Sequence, residues 1–154
     1  MSTIRAIYAH LAQQPIAVDG VTPAAFDLAQ LPSYVDSAML PCRLLTPMNP
    51  RSEAREFGFT ALGKLAKVTW HLTDLLLWRE AATGIGLEDI APLLIDYVAA
   101  YMAMLRQHRS MGQTQAHLIS ARFTYGTFEW PDQSTHIFDG VSCELDIEEV
   151  LSGA

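Results

Sequence analysis

Histidines, cysteines, a glycine–lysine motif and a few carboxylates are the groups in this sequence that can do chemistry. The histidines are His10, His71, His108, His117 and His136, and no two have the HxH or HxxxH spacing that lets one element present both to a metal. His71, His117 and His136 fall on predicted strands, and three imidazoles can hold zinc. His71, however, belongs to a polar strand face, while His117 is in phase with Ile119 and Phe123, so the pattern does not bring them to one point. Gly58 to Leu65 reads Gly-Phe-Thr-Ala-Leu-Gly-Lys-Leu, which fits GxxxxGK but puts Leu65 where a phosphate loop needs a hydroxyl for Mg²⁺. That loop also has to open a helix, and here it leads into a period-two run. Glu80, Glu88 and Asp89 gather near Gly84–Gly86, with Glu88 and Asp89 where helix-capping acids belong. Ser110, Ser120 and Ser142 have no GxSxG setting. Cys42 and Cys143 lie in no CxxC or Cys/His spacing and are read as buried free thiols. The residues therefore predict no enzyme, no cofactor and no metal.

The elements that would carry these groups are plain in the second half. From Lys64 the period is two: Ala66, Val68, Trp70, Leu72, Leu76 and Trp78 share a face interrupted by Asp74, and Lys67, Thr69, His71 and Thr73 share the other. Leu75-Leu76-Leu77-Trp78 is apolar on both faces, so a helix or another chain must cover it. Asp89 is the expected N-cap of a helix with Pro92 in its first turn. Ile90, Leu94, Tyr97, Val98, Tyr101 and Leu105 form its apolar arc; Asp96, Ala99, Ala100, Ala103 and Gln107 form a smooth opposite side, suited to water or to close approach by another helix. Two more alternating runs, Gln115–Glu129 and His136–Ile147, make a long hairpin joined around Pro131–Ser134, with a bulge at Asp139-Gly140 and a solvated tail, Asp146-Ile147-Glu148-Glu149.

The first half is less regular. Ile4, Ile7, Tyr8 and Leu11 predict a short amphipathic helix capped by Ser2 or Thr3 and ending near Gln14. Ile16–Val21 predicts a hairpin turning at Asp19-Gly20. Thr22-Pro23 opens either a helix to about Ala29 or irregular chain. Leu31-Pro32 and Leu40-Pro41 bracket a turn, and Cys42–Thr46 reads as a strand. Pro47–Glu56 then holds Arg51, Glu53, Arg55 and Glu56, the most charged stretch of the sequence: a solvated loop, or an arm reaching a neighbouring subunit. The expected fold is α+β: an antiparallel sheet of long strands packed against one main helix, plus a short N-terminal helix, in a single domain spanning 1–154.

The chain has 154 residues, enough to bury a core without staples. Half are hydrophobic and 18% charged, which leaves apolar surface for a partner or fills the core. The net charge of −7, from 17 acidic against 10 basic side chains, disfavours gripping a phosphate backbone. No secretory h-region opens the sequence. Ile90–Leu105, at about 1.5 Å per residue, falls short of a roughly 30 Å hydrocarbon core, so no membrane partner and synthesis in the cytoplasm are expected. Trp78 and Trp130, at element ends, are candidate subunit-interface anchors together with Arg51, Glu53, Arg55 and Glu56.

The order of these elements resembles the tail terminator (tail completion, neck) proteins of long-tailed bacteriophages. The residues that carry the resemblance are the helix at Thr3–Ala12, Leu40-Pro41-Cys42-Arg43-Leu44-Leu45-Thr46-Pro47, the strand with Trp70-His71-Leu72-Thr73-Asp74-Leu75-Leu76-Leu77-Trp78, the helix with Tyr97 and Tyr101, and the closing hairpin. The resemblance implies a structural virion protein: a homo-oligomeric ring, a hexamer, that caps the tail tube at its head-proximal end, stops tube polymerisation and offers a head-attachment surface. Its partners would be itself, the tail tube protein and a neck or head-completion protein, with DNA passing through the lumen without specific binding and the virion assembled in the host cytoplasm. Two other readings are a head–tail connector of the neck and a small metal-dependent or ligand-binding α+β domain using His71, His117 and His136.

Overall fold

The alternating run that begins at Leu65 is one uninterrupted strand of 16 residues, Leu65–Glu80, in the computed structural model of the protein. At about 3.3 Å per residue it is roughly 50 Å long, and every other element is placed by reference to it. The structure describes residues 2–47, 58–62, 65–81, 86–130 and 136–152. In chain order these give α1 (Thr3–Gln13), β1 (Ala24–Phe26), a 3-10 turn (Ser37–Met39), β2 (Cys42–Thr46), β3 (Gly58–Leu62), β4 (Leu65–Glu80), α2 (Ala91–Gln107), β5 (Ala116–Glu129) and β6 (Ile137–Ser152).

The strands form a six-stranded sheet in the order β1-β2-β4-β6-β5, with β3 beside β4 next to the half that β2 leaves open. All neighbours are antiparallel except β1 and β2, which run parallel. The fold is α+β as expected, with that one mixed pair. The parallel pair comes from the segment that Thr22-Pro23 opens. The segment is not a helix: Ala24–Phe26 lies against Cys42–Leu44, because three residues of sheet edge outweigh a weak local preference.

The two faces of β4 have different covers. On one face Leu72 and Leu76, with Val141, Cys143, Leu145 and Ile147 of β6, pack beneath Ile7, Tyr8 and Leu11 of α1 and Leu94, Tyr97, Tyr101 and Leu105 of α2. On the other, Leu75 and Leu77 join Cys42, Leu44, Phe138 and Trp130, closed over by Phe26, Leu31, Val35, Met39 and Leu40. The doubly apolar end of β4 is thus covered by its own chain on both sides, with no second copy needed.

Several local signals hold. Ser2 caps α1 and Asp19-Gly20 turns a tight hairpin, both residues at positive φ, with Val18 bridged to Val21. Others differ. Asp89 does not cap α2; the cap position is Ile90, with no side-chain bond, and both Asp89 oxygens accept from Arg79. The irregularity foreseen at Asp139-Gly140 lies opposite, where the register shifts between Leu77 and Arg79 and leaves Trp78 unmatched. The acidic stretch at Asp146–Glu149 is no tail but the body of β6: Glu149 follows Leu145 and Ile147 onto the covered face, where the Trp70 indole donates to it at 2.8 Å. Gly58–Leu62 is a strand paired antiparallel with β4, and the next described residues, from Leu65, are strand and not helix, so the glycine–lysine motif lacks the setting that phosphate binding requires.

Candidate functional site

Polar groups gather in three places, and the deepest lies between the sheet and the helices. Asp74, the residue that breaks the apolar phase of β4, is fully buried and meets Arg43, which occupies the same face of β2. The guanidinium donates to both carboxylate oxygens, at 3.2 and 3.3 Å from Nε and 2.5 Å from Nη2. Its remaining donors reach the carbonyls of Leu11 at 3.2 Å and Gln14 at 2.8 Å at the C-terminal end of α1. The Tyr101 hydroxyl of α2 donates to Asp74 at 2.7 Å, and its ring lies beneath the Arg43 guanidinium. One ion pair therefore ties together α1, β2, β4 and α2. Burial pulls the Arg43 pKa down, but Asp74 outweighs it and holds the guanidinium above its ordinary value. Burial, then Asp74, pushes the Tyr97 and Tyr101 phenols well above theirs. Burial pushes the Cys42 thiol up to about 12 and raises Cys143 as well, so both thiols are unreactive at neutral pH. With Arg43 and Asp74 at 1% exposure, the cluster is sealed from any solute and fixes the helices to the sheet. The sequence signals for it were an acid in an apolar phase and an arginine inside a buried strand; their pairing was not visible.

The second place is the open polar face where β4, β6 and β5 run side by side. Glu144, Asp146 and Glu148 form a row along the central strand. Lys67 and His117 approach Glu148 from either side, at 3.3 and 3.7 Å, and Arg122 holds Glu144 at 2.6 Å. His71 Nδ1 and the Ser120 hydroxyl both bond Asp146, the latter at 3.0 Å. Serine, histidine and aspartate thus meet, but with aspartate in the middle. A nucleophile relay needs the imidazole between the other two, so this arrangement cannot draw a proton from Ser120. His117 is on this face, not with Phe123, because a bulge at Ile119 reverses the phase of β5. His136 stands at the far end of the hairpin, before Ile137, and no group of three metal-ligating side chains occurs among the described residues.

The third place joins the C-terminal ends of α1 and α2, where His10 Nε2 and His108 Nδ1 lie 3.1 Å apart. One ring must donate and the other accept, so the contact needs at least one neutral imidazole. Gly112, at φ +71°, lies against His10: a Cβ there would stand 2.9 Å from Nδ1. Burial, then His108, lowers the His10 pKa below its ordinary 6.5. The unfolded chain therefore takes up a proton before the folded one. Stability is full above pH 6.5 and falls as the pH drops through that value toward the depressed folded pKa. Urea midpoints at about pH 7.5 and 5.5 should show this loss, and a His10→Gln variant should show less of it. An equal pH dependence in both proteins would rule out His10 as the source.

Of the residues expected at a subunit interface, Arg51, Glu53, Arg55 and Glu56 lie outside the described residues. Trp78 is half-buried at the β4 irregularity. Trp130 is 8% exposed, and its indole donates to the Pro32 carbonyl at 3.2 Å, so its ring is occupied by its own chain. Beside Trp78, Arg79 grips Asp139 at 2.7 Å and Asp89 at 2.8 Å, which gives one of the three acids near Gly86, Asp89, a structural partner. What the sequence reading missed is an edge. β5 pairs with β6 on one side and, over its 14 residues, with no other strand among those described; Ile119 and Tyr125 are half exposed along it. Compared with known proteins, the sequence matches no family model and none of the curated proteins, so its fold and surfaces carry the functional reading.

Proposed function

We propose that the protein is a structural subunit that closes into a homo-oligomeric ring, of the tail-terminator type: the ring caps a phage tail tube at its head-proximal end, ends tube growth and presents a surface to the head. The observation that carries this reading is the open edge of β5. A long strand edge is a template for another strand, and monomeric proteins blunt such edges with prolines, inward charges, bulges or short length. β5 has 14 residues and no proline; the bulge at Ile119 and the bond from Leu118 N–H to the Arg109 carbonyl occupy only its start, and Ser120–Glu129, with exposed Tyr125, continues as a regular edge. The other border of the sheet is made by the short strands β1 and β3. Edge-to-edge contact between two different borders is heterologous, and heterologous contacts close into rings when the rotation allows. The net charge of −7 suits a ring through which DNA slides without being held. The buried polar groups support a scaffold, not a reaction.

Two measurements test the reading. Tails assembled without this protein should show overlong tubes by electron microscopy; tubes of normal length would sink the terminator role. The purified protein should sediment as a ring, and Tyr125→Lys, which places a gatekeeper charge on the open edge, should cut that assembly at least about tenfold. An unchanged ring in this variant would remove β5 from the contact.

A further inference from the structure

The outward side of α2 carries more than the alanines read from the sequence. Ile95 is 53% exposed and Met102 47%, and both flank Ala99 and Ala103, which are also exposed. Large apolar side chains beside an alanine pair one helical turn apart make a face that a second helix can approach closely. Asp96 and Arg106 project from the same side, exposed, and neither has an ion-pair or hydrogen-bond partner among the described residues.

The spacing of these groups identifies the occupant. Ala99 and Ala103 have their mid-point at the level of Tyr101, and Asp96 and Arg106 have the same one. Asp96 and Arg106 are about 15 Å apart along the axis, at about 1.5 Å per residue. If a second copy of α2 lies antiparallel with a two-fold axis at that level, Ala99 of each copy falls opposite Ala103 of the other. Asp96 of each copy then falls opposite Arg106 of the other, twice. Met102 of the two copies meet near the axis. Ile95 falls at the level of Gln107 of the other copy, so the match is carried by Ala99, Ala103, Asp96 and Arg106, whose complementarity to their own reversal is what an isologous contact requires. An unrelated helix would have no reason to match both mid-points.

We infer that copies of this protein pair two-fold through α2, with Ala99 and Ala103 at the seam and Asp96–Arg106 ion pairs at both ends. The contact stands apart from the ring reading: it uses the helix, not the β5 edge, and it closes at two copies. One helix pair covers less than the roughly 1,600 Å² of a standard interface, so the dimer forms in the micromolar range and above.

Sedimentation equilibrium of the full chain carrying Tyr125→Lys, which removes the edge contact, reads the helix pair alone. A monomer–dimer equilibrium is expected. Ala99→Arg, on an exposed position that leaves the fold and melting temperature unchanged, should abolish the dimer. Asp96→Arg alone should weaken it about tenfold, through two repulsive contacts per dimer. Adding Arg106→Asp to Asp96→Arg should restore it. A protein that stays monomeric up to several hundred micromolar overturns the proposal. So does a dimer indifferent to Ala99→Arg, or one not restored by the double reversal. Loss of the ring with the dimer retained would leave this contact standing while the edge reading holds; a ring retained in Tyr125→Lys would instead fail the edge reading alone.

Discussion

Asp74→Ala should cost about 3–5 kcal/mol of folding stability, since removing one member of a buried ion pair leaves the other charged and unpaired. Arg43 would keep two carbonyl acceptors but lose every anionic one, and Tyr101 would lose its acceptor too. Water cannot repair this, because both side chains of the pair are sealed from solvent. Chemical denaturation measures the loss directly. A second variant separates the cost of the orphan from the worth of the pair: Arg43→Met combined with Asp74→Leu should lose far less than Asp74→Ala, since apolar replacement of both partners is often neutral or better. If the double variant is as damaged as the single one, the carbonyls at the end of α1 are the main clients of Arg43, and Asp74 is secondary.

Gly140→Ala should be nearly as damaging, at about 3 kcal/mol or more. A Cβ at this position would fall deep inside contact distance of the Leu76 carbonyl oxygen, and close to the Leu77 backbone. The obstacle is main chain, not a flexible side-chain tip. It cannot retreat, because β4 is held by β2 on one side and β6 on the other along this stretch. The close approach occurs where the register shifts around Trp78, and it explains why a glycine interrupts an otherwise regular strand. A Gly140→Ala protein that melts within a degree or two of the unaltered chain would mean that the irregularity flexes enough to admit a methyl group.

What could be read in the sequence was whatever depends on neighbours in the chain. The 3.6-residue spacing of Leu94, Tyr97, Tyr101 and Leu105 located α2 and its buried side, and the alternation around Val141, Cys143, Leu145 and Ile147 located β6 and its covered face. Asp19-Gly20 located a turn because the two residues tolerate the backbone it needs. What depends on distant partners was not legible. Arg43 and Asp74 are separated by 31 positions, and nothing local marks them as a pair. Asp89 looks like a helix cap until Arg79 claims it. A one-residue bulge at Ile119 moved His117 to the other face, which no count of alternation can anticipate. The unpaired edge of β5 is a property of sheet order alone.

That sheet order also sets a timetable for folding. β4 ends at Glu80, while β6, its partner along almost its whole length, begins at Ile137, with α2 and β5 in between. The outermost register pair, Leu65 with Ser152, joins positions 87 apart. During synthesis at about 5–20 residues per second, β4 therefore waits several seconds with one side unpaired and Leu72, Leu75, Leu76 and Leu77 only partly covered. The same strand that organises the finished molecule is its most exposed segment on the way there, so the nascent chain, not the native one, is where this protein is most open to aggregation and to chaperones.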